Sequence, residues 1–148
     1  MNIRNRVRLE FFSLPENVGF ARSCAAAFAS QLQCTLDDLE EVKLVVSEAV
    51  SNAVIHGYQQ HADGTIVMDL MVREDFALEI VIEDFGVGMD DVDKCMEPSY
   101  STDANRMGLG FSFMRSFADE LRVNSVPGQG TAVRMLKRFI SATAQAMA

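Results

Sequence analysis

The sequence predicts an α+β fold, a two-layer sandwich with an antiparallel or mixed sheet and helices on one face. Three observations predict it. Strand-like alternation recurs near the start, in the middle and near the end of the chain. Two helical patterns lie between the first strand and the next. The later strand segments are joined by links too short for a parallel crossover, so neighbours pair antiparallel. The element order reads β-α-α-β-β-loop-α-β-β, without the strict alternation that a doubly wound parallel sheet needs.

Val7, Leu9 and Phe11 alternate with Arg8 and Glu10, which predicts a first strand. Pro15 opens a helical pattern from about Glu16 to Leu32. Thr35 can cap a second helix, with Asp38 at the capping-box position, and the pattern continues from Leu36 to Gly57. Val42, Val45, Val46, Ala49, Val50 and Ala53 recur at three- and four-residue steps, an apolar stripe facing a core. After the turn signal Asp63-Gly64, Ile66, Met68, Leu70 and Val72 alternate, and so do Leu78, Ile80 and Ile82 after Glu74-Asp75. A loop-rich region follows from Asp84 to Met107, with a helical turn near Asp91. A third helix is predicted to start after Gly110 and run to about Asp119. Leu121 to Val126 and Thr131 to Lys137 read as two strands joined by Pro127-Gly128-Gln129-Gly130, and the small-residue tail from Ser141 to Ala148 as a fraying end.

At 148 residues, with 49% apolar and 23% charged residues, the chain has the composition of one globular domain that needs no disulfide staples. Thirteen Lys and Arg against 21 Asp and Glu give a net charge of −8, which argues against direct binding to nucleic acid or an anionic membrane surface. No apolar run is long enough to span a bilayer, and Met1 to Glu10 has no signal-peptide core, so a cytoplasmic protein is expected. Cys24, Cys34 and Cys95 match no metal-ligand spacing, even with His56 and His61, and are expected to be free thiols.

Four short patterns carry the chemistry. Glu48 and Asn52 lie one helical turn apart beside the apolar stripe, where a carboxylate can act as base and an amide oxygen can ligate Mg²⁺. Asp84-Phe85-Gly86-Val87-Gly88 leaves a strand with a carboxylate able to accept from an exocyclic amine such as that of adenine, and with glycines that let backbone approach a flat ring. Gly108-Leu109-Gly110 precedes a helix, where backbone N–H groups can bind phosphate, and Arg106 adds a cation in reach of a terminal phosphate. Gly130-Thr131 opens the last strand. Each pattern alone is as well explained by a solvated helix pair, a DxG turn, a loop-to-helix turn or a hairpin. Their occurrence together, in this order, is what separates them from chance.

The ExxxNA, DxGxG, GxGF and GT boxes resemble those of the gyrase/histidine-kinase-type ATPases, the Bergerat fold. More narrowly, the run from Ser47 to Tyr58, together with Leu9-Glu10-Phe11, Asn17, Phe20-Ala21-Arg22 and Gly110-Phe111 through Met114, Phe117 and Asp119, resembles the sporulation anti-sigma F factors, a family of serine-protein kinases. The resemblance extends to about Lys137. It implies Mg-ATP as cofactor, sequestration of a sporulation sigma factor, phosphorylation of a serine on an anti-anti-sigma protein, and a homodimer. It assigns Glu48 as catalytic base and Asn52 as Mg²⁺ ligand. It assigns Asp84, with Gly86 and Gly88, to adenine, Gly108, Gly110 and Arg106 to the phosphates, Thr131 to the neighbourhood of the adenine, and Arg22 to both protein partners. Between Pro98 and Gly108 the segment is about two residues shorter than the family's ATP lid and lacks its lysine. A nucleotide-dependent binding module without phosphotransfer, or a stress-response sigma regulator, is the alternative.

Overall fold

The computed structural model describes residues 2–58, 64–89 and 106–140, with backbone alone for 106–109. The sheet has five strands: β1 (Ile3–Phe12), β2 (Thr65–Arg73), β3 (Leu78–Asp84), β4 (Glu120–Val126) and β5 (Gly130–Lys137). Their order is β1-β2-β3-β5-β4 and every pairing is antiparallel. The helices are α1 (Glu16–Ala29), α2 (Leu36–Asn52) and α3 (Arg106–Phe117).

Cross-strand register explains the two layers. Leu9, Met68, Ile82, Val133 and Val123 form one row across all five strands, and Val7, Leu70, Ile80, Met135 and Leu121 form the next. Both rows are wholly apolar and lie on one face, as the period-two alternation requires. Against them pack Val42, Val45, Val46, Ala49 and Val50 of α2 and Phe111, Met114 and Phe117 of α3. Ala21, Ala25 and Ala29 of α1 are buried too, and such small residues let α1 lie close against α2. Helix α2 is rich in β-branched valine, a poor helix former, so its stability comes from this packing and from its cap. Thr35 Oγ1 accepts the Asp38 N–H at 3.0 Å and Asp38 Oδ2 accepts the Thr35 N–H at 2.8 Å, the capping box read from the sequence.

Three boundaries differ from expectation. Helix α1 stops at Ala29, and Ser30 to Leu32 form a turn that still buries Leu32. Helix α3 begins at Arg106, so Gly108 and Gly110 lie within the helix instead of preceding it. Packing of α3 on α2 offsets glycine's cost in a helix, and the missing Cβ lets the two helices approach. The last five residues of the second helical run, Ala53–Gly57, form a π-turn, in which the Tyr58 N–H donates to Ala53 O at 3.0 Å. The predicted turn near Asp91, Cys95, His61 and the tail beyond 140 lie outside the described residues.

Candidate functional site

The row next to the two apolar ones changes character part-way across the sheet. Phe11 and Ile66 begin it on β1 and β2, but Asp84, Thr131 and Ser125 continue it on β3, β5 and β4. The helix-facing layer therefore turns polar at one corner, where β3 ends. Asp84 is only 6% exposed there. Burial raises its carboxyl above the ordinary carboxylate value. The N–H groups of Gly86 and Thr131 oppose that rise, while the charge of Glu83 adds to it. The Gly86 N–H reaches Asp84 Oδ1 at 2.9 Å.

Asp84 and the loop after it are held on three sides. From α2, the π-turn delivers Gly57, whose carbonyl accepts the Val87 N–H at 2.8 Å. A Cβ on Gly86 would stand 1.7 Å from that carbonyl oxygen, and a Cβ on Gly57 would stand 2.7 Å from Asp84 Cγ, so both positions require glycine. Tyr58 accepts the Phe85 N–H at 2.7 Å on its hydroxyl and donates to Thr65 O. From the β4–β5 hairpin, Gly128 N–H donates to Val87 O at 2.7 Å, and Ser125 Oγ accepts the Met89 N–H at 2.7 Å. Gly88, at φ 74°, turns the chain against Val126. Phe85 and Val87 remain exposed beside the buried carboxylate and offer apolar surface to a flat ring.

A second polar cluster lies along α2. Glu48 and Asn52 both face the bare Cα of Gly110 on α3. A Cβ at Gly110 would lie 3.1 Å from Glu48 Oε2 and 3.3 Å from Asn52 Nδ2. The Asn52 amide nitrogen is buried and has no hydrogen-bond partner among the described residues. An orphaned buried amide costs free energy unless something fills its valence, so it marks a place for a ligand atom. Asn52 precedes Gly57 by five residues, roughly 7 Å along a helix axis, so a single element carries both ends of the site. Arg22 of α1 is exposed, with its guanidinium 3.5 Å from the Ser47 hydroxyl, next to Glu48.

A histidine kinase-like ATPase domain profile matches residues 11–137. An anti-sigma F factor of Priestia megaterium is 42% identical over 144 residues, covering 96% of this chain and 98% of that protein. The anti-sigma F factor of Pasteuria penetrans is 47% identical over 138 residues, covering 92% of each. The chain belongs to the anti-sigma F factor family.

Bacillus subtilis has a further anti-sigma F factor that is 38% identical over 139 residues, covering 93% of this chain and 94% of that protein. Among solved structures, the histidine kinase domain of the Erythrobacter litoralis blue-light activated kinase shares the fold with a TM-score of 0.57 at 22% identity. It covers 90% of this chain, and this chain spans 63% of that one. The RsbU and RsbW domains of a Mycobacterium tuberculosis protein share the fold with a TM-score of 0.64 at 17% identity, covering 90% of this chain and 32% of that one. The residues singled out in the sequence fall at two clusters. Glu48, Asn52 and Gly110 form one; Asp84, Gly86, Gly88 and Thr131 form the other. Gly108 is placed in the backbone of α3, while the side chain of Arg106 lies outside the described residues. Gly57 and Tyr58 lie in the run that carries the resemblance, but no sequence pattern gives them a place at the site, and Ser125 is missed altogether. Ser125 has a signal in the hairpin register, which sets it directly opposite Thr131.

Proposed function

We propose that this protein is an ATP-dependent serine-protein kinase that also sequesters a sporulation sigma factor. Its phosphate acceptor is a serine on an anti-anti-sigma protein, and its working form is a homodimer. The observation that carries the reading is the meeting of Glu48 and the orphaned Asn52 amide across the bare Cα of Gly110. These residues fit a magnesium nucleotide. Glycine leaves room at that point, and an amide can turn its nitrogen to a phosphate oxygen or its oxygen to a hard cation. Mg²⁺ held by Asn52 would neutralise charge on the transferring phosphoryl group.

This chain's own residues do the remainder. Asp84 accepts from the exocyclic amine of the adenine, while Phe85 and Val87 offer apolar contact to the ring. Backbone N–H groups in the first turn of α3, around Gly108 and Gly110, face phosphate, with Arg106 beside them. Glu48 takes the proton from the hydroxyl of the partner's serine as its oxygen bonds to the γ-phosphorus and the bond to the leaving ADP oxygen breaks. Arg22, beside Ser47, lies where an incoming protein must approach Glu48, which supports its role in partner contact. The sheet face away from α1, α2 and α3 and the exposed Ile3, Val7 and Phe12 of edge strand β1 support a homodimer.

Phosphate transfer from γ-labelled ATP to the anti-anti-sigma protein tests the reading. Glu48→Ala should lower transfer about 10²–10⁴-fold, the usual contribution of general-base help, with ATP affinity nearly unchanged. Asn52→Ala should lose Mg²⁺-dependent binding and transfer together. A wild type that binds ATP and the sigma factor but transfers nothing would leave a nucleotide-dependent binding module.

A further inference from the structure

Ser125 sits at the centre of a hydroxyl network that the proposed activity does not use. Its Oγ accepts the Met89 N–H at 2.7 Å, lies 3.2 Å from Gly130 O, and lies 2.8 Å from Thr131 Oγ1. A serine hydroxyl has one proton and two lone pairs. The Met89 amide can only donate and the Gly130 carbonyl can only accept. One arrangement satisfies all three neighbours at once: Ser125 gives its proton to Gly130 O, one lone pair takes the Met89 N–H, and the other takes the Thr131 O–H. The Thr131 proton is then committed to Ser125. What Thr131 can offer a ligand is lone pairs alone.

Thr131 is also the direct cross-strand partner of Asp84, and its backbone N–H steadies the Asp84 carboxylate. The polar corner of the sheet would thus present two acceptors side by side. We propose that Ser125 fixes the Thr131 hydroxyl as an acceptor and thereby makes the site select a 6-amino purine over a 6-oxo purine. A 6-amino group donates to such a pair. A 6-oxo group presents a lone pair to the Asp84 carboxylate and to a Thr131 hydroxyl whose proton is already committed, and buried groups left facing one another in this way are costly. Ser125 is a positioning residue, acting through Thr131. The inference rests on the reading that Asp84 and Thr131 face the base.

The test compares ATP with ITP, which differs only at the six-position of the base and the adjacent N1 proton. Dissociation constants of both are measured by calorimetry on the full chain. Ser125→Ala frees the Thr131 hydroxyl to rotate and donate, so the ITP-to-ATP ratio of dissociation constants should fall on the order of tenfold, the worth of one directed hydrogen bond. Ser125→Thr, which keeps the hydroxyl on a residue suited to a strand, should restore the ratio. A merely structural Ser125 would weaken both nucleotides in proportion, and an unchanged ratio overturns the proposal. Should Ser125→Ala fail to fold, Thr131→Val decides, because a ratio equal to that of the wild type removes Thr131 from the discrimination. Asp84→Asn separates the two levels. If it leaves ATP affinity intact, the base-facing reading fails; if it weakens ATP while Ser125→Ala leaves the ratio untouched, this inference alone fails.

Discussion

Asp84, the proposed adenine acceptor, sits in a place that disfavours its charge. Its carboxyl is raised above 3.8 because desolvation outweighs the Gly86 and Thr131 N–H groups. A carboxyl whose folded value exceeds its unfolded value stabilises the fold only while protonated. That contribution is complete below the ordinary value of 3.8 and is lost as pH rises through the raised folded value. Above that raised value the ionised Asp84 therefore works against the fold. Asp84→Asn should leave thermal stability at pH 7 equal to or above that of the wild type, with the advantage shrinking as pH falls toward 3.8. The same variant should bind ATP and ADP roughly ten- to a hundredfold more weakly, since one charge-assisted hydrogen bond is lost. Thermal melts across pH, paired with calorimetry, check both halves; a variant that melts lower at pH 7 and binds normally would contradict both. Asp84 was legible in the sequence because a carboxylate at a strand end before two glycines is a local pattern. Tyr58 was not, because its partners Phe85 and Thr65 come together only when α2, β2 and β3 meet.

Helix α2 does two jobs, and its two halves are built differently. The first half is a regular capped helix whose valine stripe fills the core; its phase and its start at Thr35 can be read directly from spacing. The second half carries Glu48 and Asn52 and ends in a π-turn, which brings Gly57 against Asp84 and Gly86. No residue pattern announces a π-turn, because the extra residue per turn is set by contacts with a loop some 30 residues further along the chain. For the same reason the sequence pattern puts the start of α3 after Gly110, while the helix begins at Arg106. Two glycines read as a helix stop or lead-in, yet here α3 runs through them because α2 supports it. This packing makes Gly110→Ala an informative variant. Alanine gains about 1 kcal/mol over glycine in a helix interior. Its Cβ, however, would press on Glu48 Oε2 at 3.1 Å and Asn52 Nδ2 at 3.3 Å, both movable side-chain atoms. Stability should hold or rise, while phosphotransfer falls at least about tenfold because Glu48 and Asn52 are displaced. Chemical denaturation and a transfer assay on one preparation check this, and a variant that loses stability and keeps full transfer would place Gly110 in the core instead of at the site.

At the level of the whole molecule, the proposed function puts the nucleotide and the protein partners at neighbouring surfaces. The chain carries a net charge of −8, and among the described residues no helix is long and apolar enough to cross a membrane. On the sheet face away from α1, α2 and α3, charges pair with one another: Asp69 sits between Arg6 and Arg8, and Glu79 between Arg73 and Arg134. Arg22 is different. It stands exposed on α1, and among the described residues its guanidinium makes one long contact, with the neutral Ser47 hydroxyl. In the sequence it lies far from every nucleotide box; in the fold it lies next to the residue preceding Glu48, a proximity that only the packing of α1 on α2 creates. An exposed arginine with most of its donors free is well suited to anchor a protein partner, and charge reversal there adds repulsion to the loss of contact. Arg22→Glu should therefore weaken binding of the sigma factor and of the anti-anti-sigma protein, by about 2 kcal/mol or more at a buried anchor. ADP affinity should stay at the wild-type level, because Arg22 touches neither Asp84 nor Asn52. Surface plasmon resonance with each partner, run beside ADP calorimetry, reads the two effects separately. Unchanged partner binding would return Arg22 to the role of a surface cation. A matching loss of ADP affinity would instead place its charge in the phosphate field, as a part of the nucleotide site contributed by α1.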